Sequence, residues 1–145
     1  MNKIKIFVYI YVIMTNFKIY EGNNLSLEEK MFLVHFTEWG IKKLGITTKF
    51  NVIFSKIGQI QGISTGGYDP RTNDVIARIE NRNVIDVART VAHELVHLRQ
   101  KEMGKIKDGV PVQDIGGPIE DEANAISGIM LKKYAKEFGR WIYDF

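Results

Sequence analysis

The sequence predicts one small α+β domain in which a short mixed sheet packs on three main helices. Three observations lead there. Stretches 26–45, 83–103 and 117–139 carry apolar residues at three- and four-residue spacing, and each ends at or beside a glycine. Between the first two, residues 48–79 alternate apolar and polar positions around glycine-rich turns. A chain of 145 residues, 45% hydrophobic and 26% charged, has the size and make-up of a soluble domain with its own core.

Residues 1–16 form an apolar N-terminal segment, and 17–145 are read as the single domain. Lys3 and Lys5 precede the apolar run Ile6 to Met14, as in a signal peptide, but no small-residue cleavage site follows. The run is shorter than the roughly 20 residues of a membrane span. Its β-branched and aromatic residues suit a strand. A translated extension ahead of Met14, a strand, and a signal or anchor all stay open. Phe17 to Tyr20 is a short strand candidate.

Ser26-Leu27-Glu28-Glu29 is a capping box opening a helix to about Leu44, stopped by Gly45. Leu27, Met31, Phe32, Val34, Phe36, Trp39 and Ile41 make its apolar face. His35, on the edge of that face, reads as a packed residue bonded near Glu38 rather than a ligand. Residues 48–55 form a strand, and Ile57 to Ser64 a second one weakened by Gly58 and Gly62. Thr65 to Asn73 is dense in turn residues, and Asp74 to Ile79 returns as a third strand.

Asn83 caps the next helix, Asp86 sits at N3, and Gly104 closes it. Val84, Ile85, Val87, Ala88, Val91, Ala92, Leu95, Val96 and Leu98 make it so apolar that most of it should be buried. Within it stands His93-Glu94-Leu95-Val96-His97, the pattern H-E-x-x-H. Positions i and i+4 share a helix face, so both imidazoles can reach one Zn²⁺, with Glu94 beside them as general base. Two histidines and a glutamate on a buried helix need polar partners, and a metal is the simplest.

A long loop, Lys105 to Pro118, should border the cleft as a lid or a plain connection. Pro118 suits N1 of the last helix, which runs to about Phe138 and stops at Gly139. Its stripe is read as Ile119, Ala123, Ile126, Ile129 or Met130, Tyr134 and Phe138. Glu122, between Ile119 and Ile126, is then the acid aimed inward and the expected third ligand. Glu120 projects with Asn124 and Ser127, and Asp121 with Ala125 and Gly128. Those two acids are expected to face the helix dipole, or to hold a histidine N–H.

A histidine pair in H-E-x-x-H followed by a helical glutamate resembles the ligand set of gluzincin-type zinc metallopeptidases. Glu122-Ala123-Asn124 resembles the third-ligand helix of zinc peptidases that cleave phage repressors. The longer pattern is similar to small uncharacterised zincin-like proteins of tailed phages. It runs from Thr65-Gly66-Gly67-Tyr68-Asp69-Pro70, through the histidine helix, to Gly117-Pro118-Ile119-Glu120-Asp121-Glu122-Ala123-Asn124-Ala125. The resemblance covers residues 48–135 and implies a zincin-like fold. No second histidine cluster follows His97 and no Leu-Met-Pro closes the last helix, so the repressor substrate is not carried over. In zincins a sheet edge beside the metal helix binds substrate in extended form. The strand Asp74 to Ile79 is the candidate for that edge.

With no cysteine, disulfides and thiolate metal sites are excluded, and the nitrogen and oxygen ligands that remain suit a catalytic zinc. A net charge of +3, with lysines and arginines scattered, gives no strong nucleic-acid signal. The expectation is a monomeric zinc metallopeptidase in the host cytoplasm, acting on protein or peptide substrates and more an endopeptidase than an exopeptidase. Secretion or membrane contact would come only through residues 1–14. His93, His97 and Glu122 hold the zinc, and Glu94 takes the water proton. Tyr68 is the first candidate to stabilise the transition state, ahead of Arg71, Tyr134 and His35. The alternative is a catalytically weak zincin fold serving as a structural or interaction protein, for instance in a virion.

Overall fold

Ser26 accepts the Glu29 N–H through its Oγ, while Glu29 Oε1 accepts the Ser26 N–H at 2.9 Å. This reciprocal cap starts α1 (Leu27–Leu44), and Gly45 ends it at φ 66°, a left-handed conformation that glycine adopts without cost. The computed structural model describes residues 17–19, 25–55, 65–69, 71–106 and 117–145. The N-terminal segment 1–16, the expected strand Ile57 to Ser64 and most of the loop before Gly117 lie outside them.

The strands are β1 (Phe17–Ile19), β2 (Asn51–Ser55), β3 (Gly66–Asp69) and β4 (Asp74–Arg78). They form a mixed sheet in the order β1-β2-β4-β3. β1 and β4 run parallel to β2, with Val52 opposite Val75 and Phe54 opposite Ala77. β3 runs antiparallel to β4, with Tyr68 opposite Val75. Alternation places Val52, Phe54, Val75 and Ala77 on the buried face.

Two expectations change here. The sequence predicts a turn over the whole glycine-rich stretch, yet Gly66 to Asp69 is a strand, and among the described residues Arg71 to Asn73 (φ 58°) make the turn. Gly66 lies so close to the histidine helix that a Cβ would collide with Thr90 Cγ2 and come within 2.7 Å of the Ile76 carbonyl oxygen. The glycine marks close backbone approach, not a bend. Consequently β4, read as the sheet edge, is an inner strand, and β3 takes the outer position.

α2 (Val84–Glu102) is the central element, packed against α1, the last helix, β3 and β4. Asn83 Oδ1 caps it by accepting the Ile85 N–H at 2.8 Å. Val84, Val87, Ala88, Val91, Ala92, Leu95, Val96 and Leu98 are all fully buried, and each of the larger ones contributes about 1.5–3 kcal/mol through burial. Arg82 staples the helix start to the sheet. It donates to the Arg78 and Thr65 carbonyls at 2.8 and 3.2 Å, and to Thr90 Oγ1 at 2.7 Å.

α3 (Pro118–Phe138) starts with Pro118 in its first turn and is followed by a 3-10 helix, Arg140–Asp144. Asn83 Nδ2 donates to the Phe145 carbonyl at 3.0 Å, which ties the C-terminus to the start of α2. Beneath lies an aromatic cluster of Phe32, Phe36, Trp39 and Tyr134. His35 belongs to it. It is 1% exposed, with Nδ1 2.6 Å from Tyr134 Oη. It is a packed residue, as its lone position predicts, with Tyr134 as partner. Burial drives its pKa down to about 4, against a weaker upward pull from Glu137. Three main helices on a small mixed sheet match the expected α+β class. No helix among the described residues is long and apolar enough to cross a membrane.

Candidate metal centre

The i, i+4 spacing on α2 brings the two imidazoles together. His93 Nε2 and His97 Nε2 are 3.1 Å apart, with the rings edge to face at 86°. The carboxylate that meets them is Glu120, with Oε1 2.8 Å from His97 Nε2 and Oε2 3.1 Å from His93 Nε2. His93, His97 and Glu120 are the one group of metal-ligand type found among the described residues.

The expected third ligand, Glu122, is elsewhere. It accepts from Lys105 Nζ at 3.2 Å and from Gln100 Nε2 at 3.0 Å. Its pKa is held below the ordinary carboxylate value by the bonds from Gln100 and Lys105. The phase of α3 explains the difference. Its buried residues are Ala123, Ser127, Met130, Leu131, Tyr134 and Ala135, while Ile129 is 50% exposed. Glu120 stands three residues before Ala123 and seven before Ser127, on that buried stripe. Glu122, at about 100° per residue, is turned well away from it. Asp121 is exposed.

Gln100, three residues after His97 on the same helix, orients that histidine. It is 1% exposed, and its Nε2 donates to the Ile119 carbonyl and Glu122 Oε1, each at 3.0 Å. Both partners only accept, so the amide orientation follows and Oε1 faces His97 Nδ1 at 2.7 Å. Nδ1 therefore carries the hydrogen, and Nε2 is the nitrogen that faces the cluster. His93 donates to the Asn124 side chain. Its pKa is lowered by burial and by His97, against Glu120 and Asn124, which raise it. Sequence reasoning did not single out Gln100 or assign Asn124 a role. The signal for both was helical spacing, Gln100 at i+3 from His97 and Asn124 at i+4 from Glu120.

His97 Nε2, the Glu120 carboxylate and a second imidazole nitrogen thus converge on one point. Such a set needs a cation or shared protons among its members. Zinc at 2.0–2.1 Å from tetrahedral ligands sets them about 3.3–3.4 Å apart. The observed 2.8–3.1 Å triangle is that arrangement slightly contracted. The donors present therefore fit a metal ion.

The cluster lies in a cleft of about 1280 Å³ walled by β3, α2, α3 and Tyr143. Glu94 also lines the cleft and is 7% exposed. Burial, helped by the charge of Glu120, pushes its carboxyl up to about 8. A cation at the cluster acts in the opposite direction and favours the carboxylate. Tyr68 lies in the β3 wall, and its hydroxyl donates to Asn73 Oδ1 at 2.8 Å. Arg71 pairs with Asp69 at 3.1 Å, and the Tyr134 and His35 side chains meet each other in the core. Comparison with protein-family models, curated proteins and solved structures gives no match for this chain.

Proposed function

We propose that this protein is a zincin-like zinc-dependent peptidase, with His93, His97 and Glu120 holding the metal and Glu94 as general base. One observation carries the reading: two histidine nitrogens and one carboxylate converge within 3.1 Å on the wall of a large cleft, beside a buried glutamate. Zinc in such a site supplies a water of lowered pKa and polarises a carbonyl.

The chain's own residues account for the rest. Gln100 and Asn124 hold the imidazoles in place. Glu94 accepts the proton of the attacking water and returns it to the leaving amine. Its burial keeps bulk water from competing for that proton. β3, at the outer position of the sheet, replaces β4 as the strand along which an extended substrate lies. The cleft accepts several residues of extended chain, which suits an internal peptide bond.

Zinc-loaded wild type should hold about one metal per chain and cleave members of a diverse peptide library. Glu94→Gln should hold the same metal and cleave none, because an amide cannot accept the proton. A wild type that holds zinc yet cleaves nothing in the library would overturn the peptidase reading and favour a structural or interaction role.

A further inference from the structure

We propose that the cleft selects an acidic, apolar peptide, with a carboxylate about two residues and a large apolar side chain about three or four residues from the bond cleaved. The location of that bond rests on the peptidase reading above; the selectivity rests on the other end of the cleft.

The cleft extends from the metal cluster toward the start of α2. Arg89 precedes His93 by one turn, and Ile85 precedes Arg89 by another. At 1.5 Å per residue they stand about 6 and 12 Å along the helix from His93. An extended peptide advances about 3.3 Å per residue, so these distances correspond to about two and three to four residues. Ile129 and Lys132 from α3, and Tyr143 from the 3-10 helix, line the same cleft. Gly128 keeps the α3 wall low, since a Cβ there would meet nothing within 4 Å.

Two features of this end suit a peptide. Ile129 is 50% and Tyr143 47% exposed, and they are two of the four large hydrophobic side chains exposed among the described residues. Both line the cleft, where they offer apolar surface to a side chain of the ligand. The charges are also one-sided. The acids lining the cleft are Glu94 and Glu120, both committed at the metal cluster, and its other charged side chains are Arg89 and Lys132. Neither cation is held in an ion pair among the described residues. A peptide carboxylate meets complementary charge here, and a peptide lysine meets repulsion.

The test uses fluorescein-labelled peptides of Gly, Ser and Ala in which a Glu-Leu pair is scanned through every position. Matched sets carry Lys-Leu and Glu-Ala. Binding to zinc-loaded Glu94→Gln protein is read by fluorescence anisotropy, and cleavage by zinc-loaded wild type is read separately. Glu-Leu peptides should bind about tenfold tighter than Lys-Leu peptides, with the margin shrinking as salt rises. Glu-Ala peptides should lose much of the gain. The double variant Arg89→Glu, Lys132→Glu, with its helix content and zinc stoichiometry unchanged, should reverse the preference toward Lys-Leu. Equal binding of the three sets, binding of none, or an unreversed preference in the double variant would overturn the proposal. Cleavage without charge preference would overturn it while leaving the peptidase reading intact. Preferential binding without cleavage would do the opposite.

Discussion

Glu120 Oε1 stands 2.8 Å from His97 Nε2, joining the first turn of α3 to the C-terminal half of α2. The carboxylate two residues further on, Glu122, turns instead to Lys105 and Gln100. Glu120→Ala should therefore weaken zinc binding by more than the roughly hundredfold loss that marks removal of a ligand's supporting partner. Glu122→Ala should change it far less. Competition with a chromogenic chelator measures both, and equal losses would refute the assignment.

Gln100 couples α2 to α3 through three hydrogen bonds, to His97, Ile119 and Glu122. Gln100→Ala should lower zinc affinity about ten- to a hundredfold by releasing the His97 ring. Glu122→Gln preserves an acceptor for the Gln100 amide and should stay near wild type. Retention of full affinity in Gln100→Ala would show that packing alone orients His97.

His35 introduces a pH dependence remote from the His93–His97–Glu120 cluster. Its pKa falls from 6.5 to about 4 on folding, because burial disfavours the charged form. Below pH 6.5 the unfolded chain takes up a proton that the folded chain refuses. The stabilisation is thus complete above pH 6.5 and is lost as pH falls toward 4, by about 3 kcal/mol at most. His35→Gln keeps a partner for Tyr134 Oη and should flatten that part of the curve. Urea titrations from pH 7 to pH 4 would read the difference, and parallel curves for the two proteins would refute it.

Gly66→Ala should destabilise the fold by about 1–3 kcal/mol, because the added Cβ meets Thr90 Cγ2 and the Ile76 carbonyl oxygen. β3 would be pushed from α2, so substrate binding should suffer as well. Thermal unfolding with Gly128→Ala as control distinguishes a close contact from a general loss of glycine, since Gly128 faces open space.

Sequence alone determined the helices and the core of the site. The Ser26–Glu29 box, the Asn83 cap and the proline at position 118 act within a few residues of chain, so the helix starts can be read locally. The spacing of His93 and His97 likewise fixes their shared face, whatever surrounds the helix. Tertiary structure decided the rest. Ile119, Ile126 and Phe138 suggested a stripe that includes Glu122. Its members Ala123, Met130 and Tyr134 are buried as that stripe predicts, but small Ser127 joins them while Ile119, Ile126 and Phe138 stay half-buried, so the buried face passes through Glu120. Three consecutive acids on one turn have the same local propensity, and only the docking of α3 on α2 distinguishes them. Gly66 and Gly67 read as a turn for the same reason. Glycine carries no local sign of strand, and its place in β3 follows from the nearness of Thr90, a contact 24 residues away in the chain. Pairing across the sheet, finally, is a long-range choice, so it placed β3 rather than β4 beside the cleft.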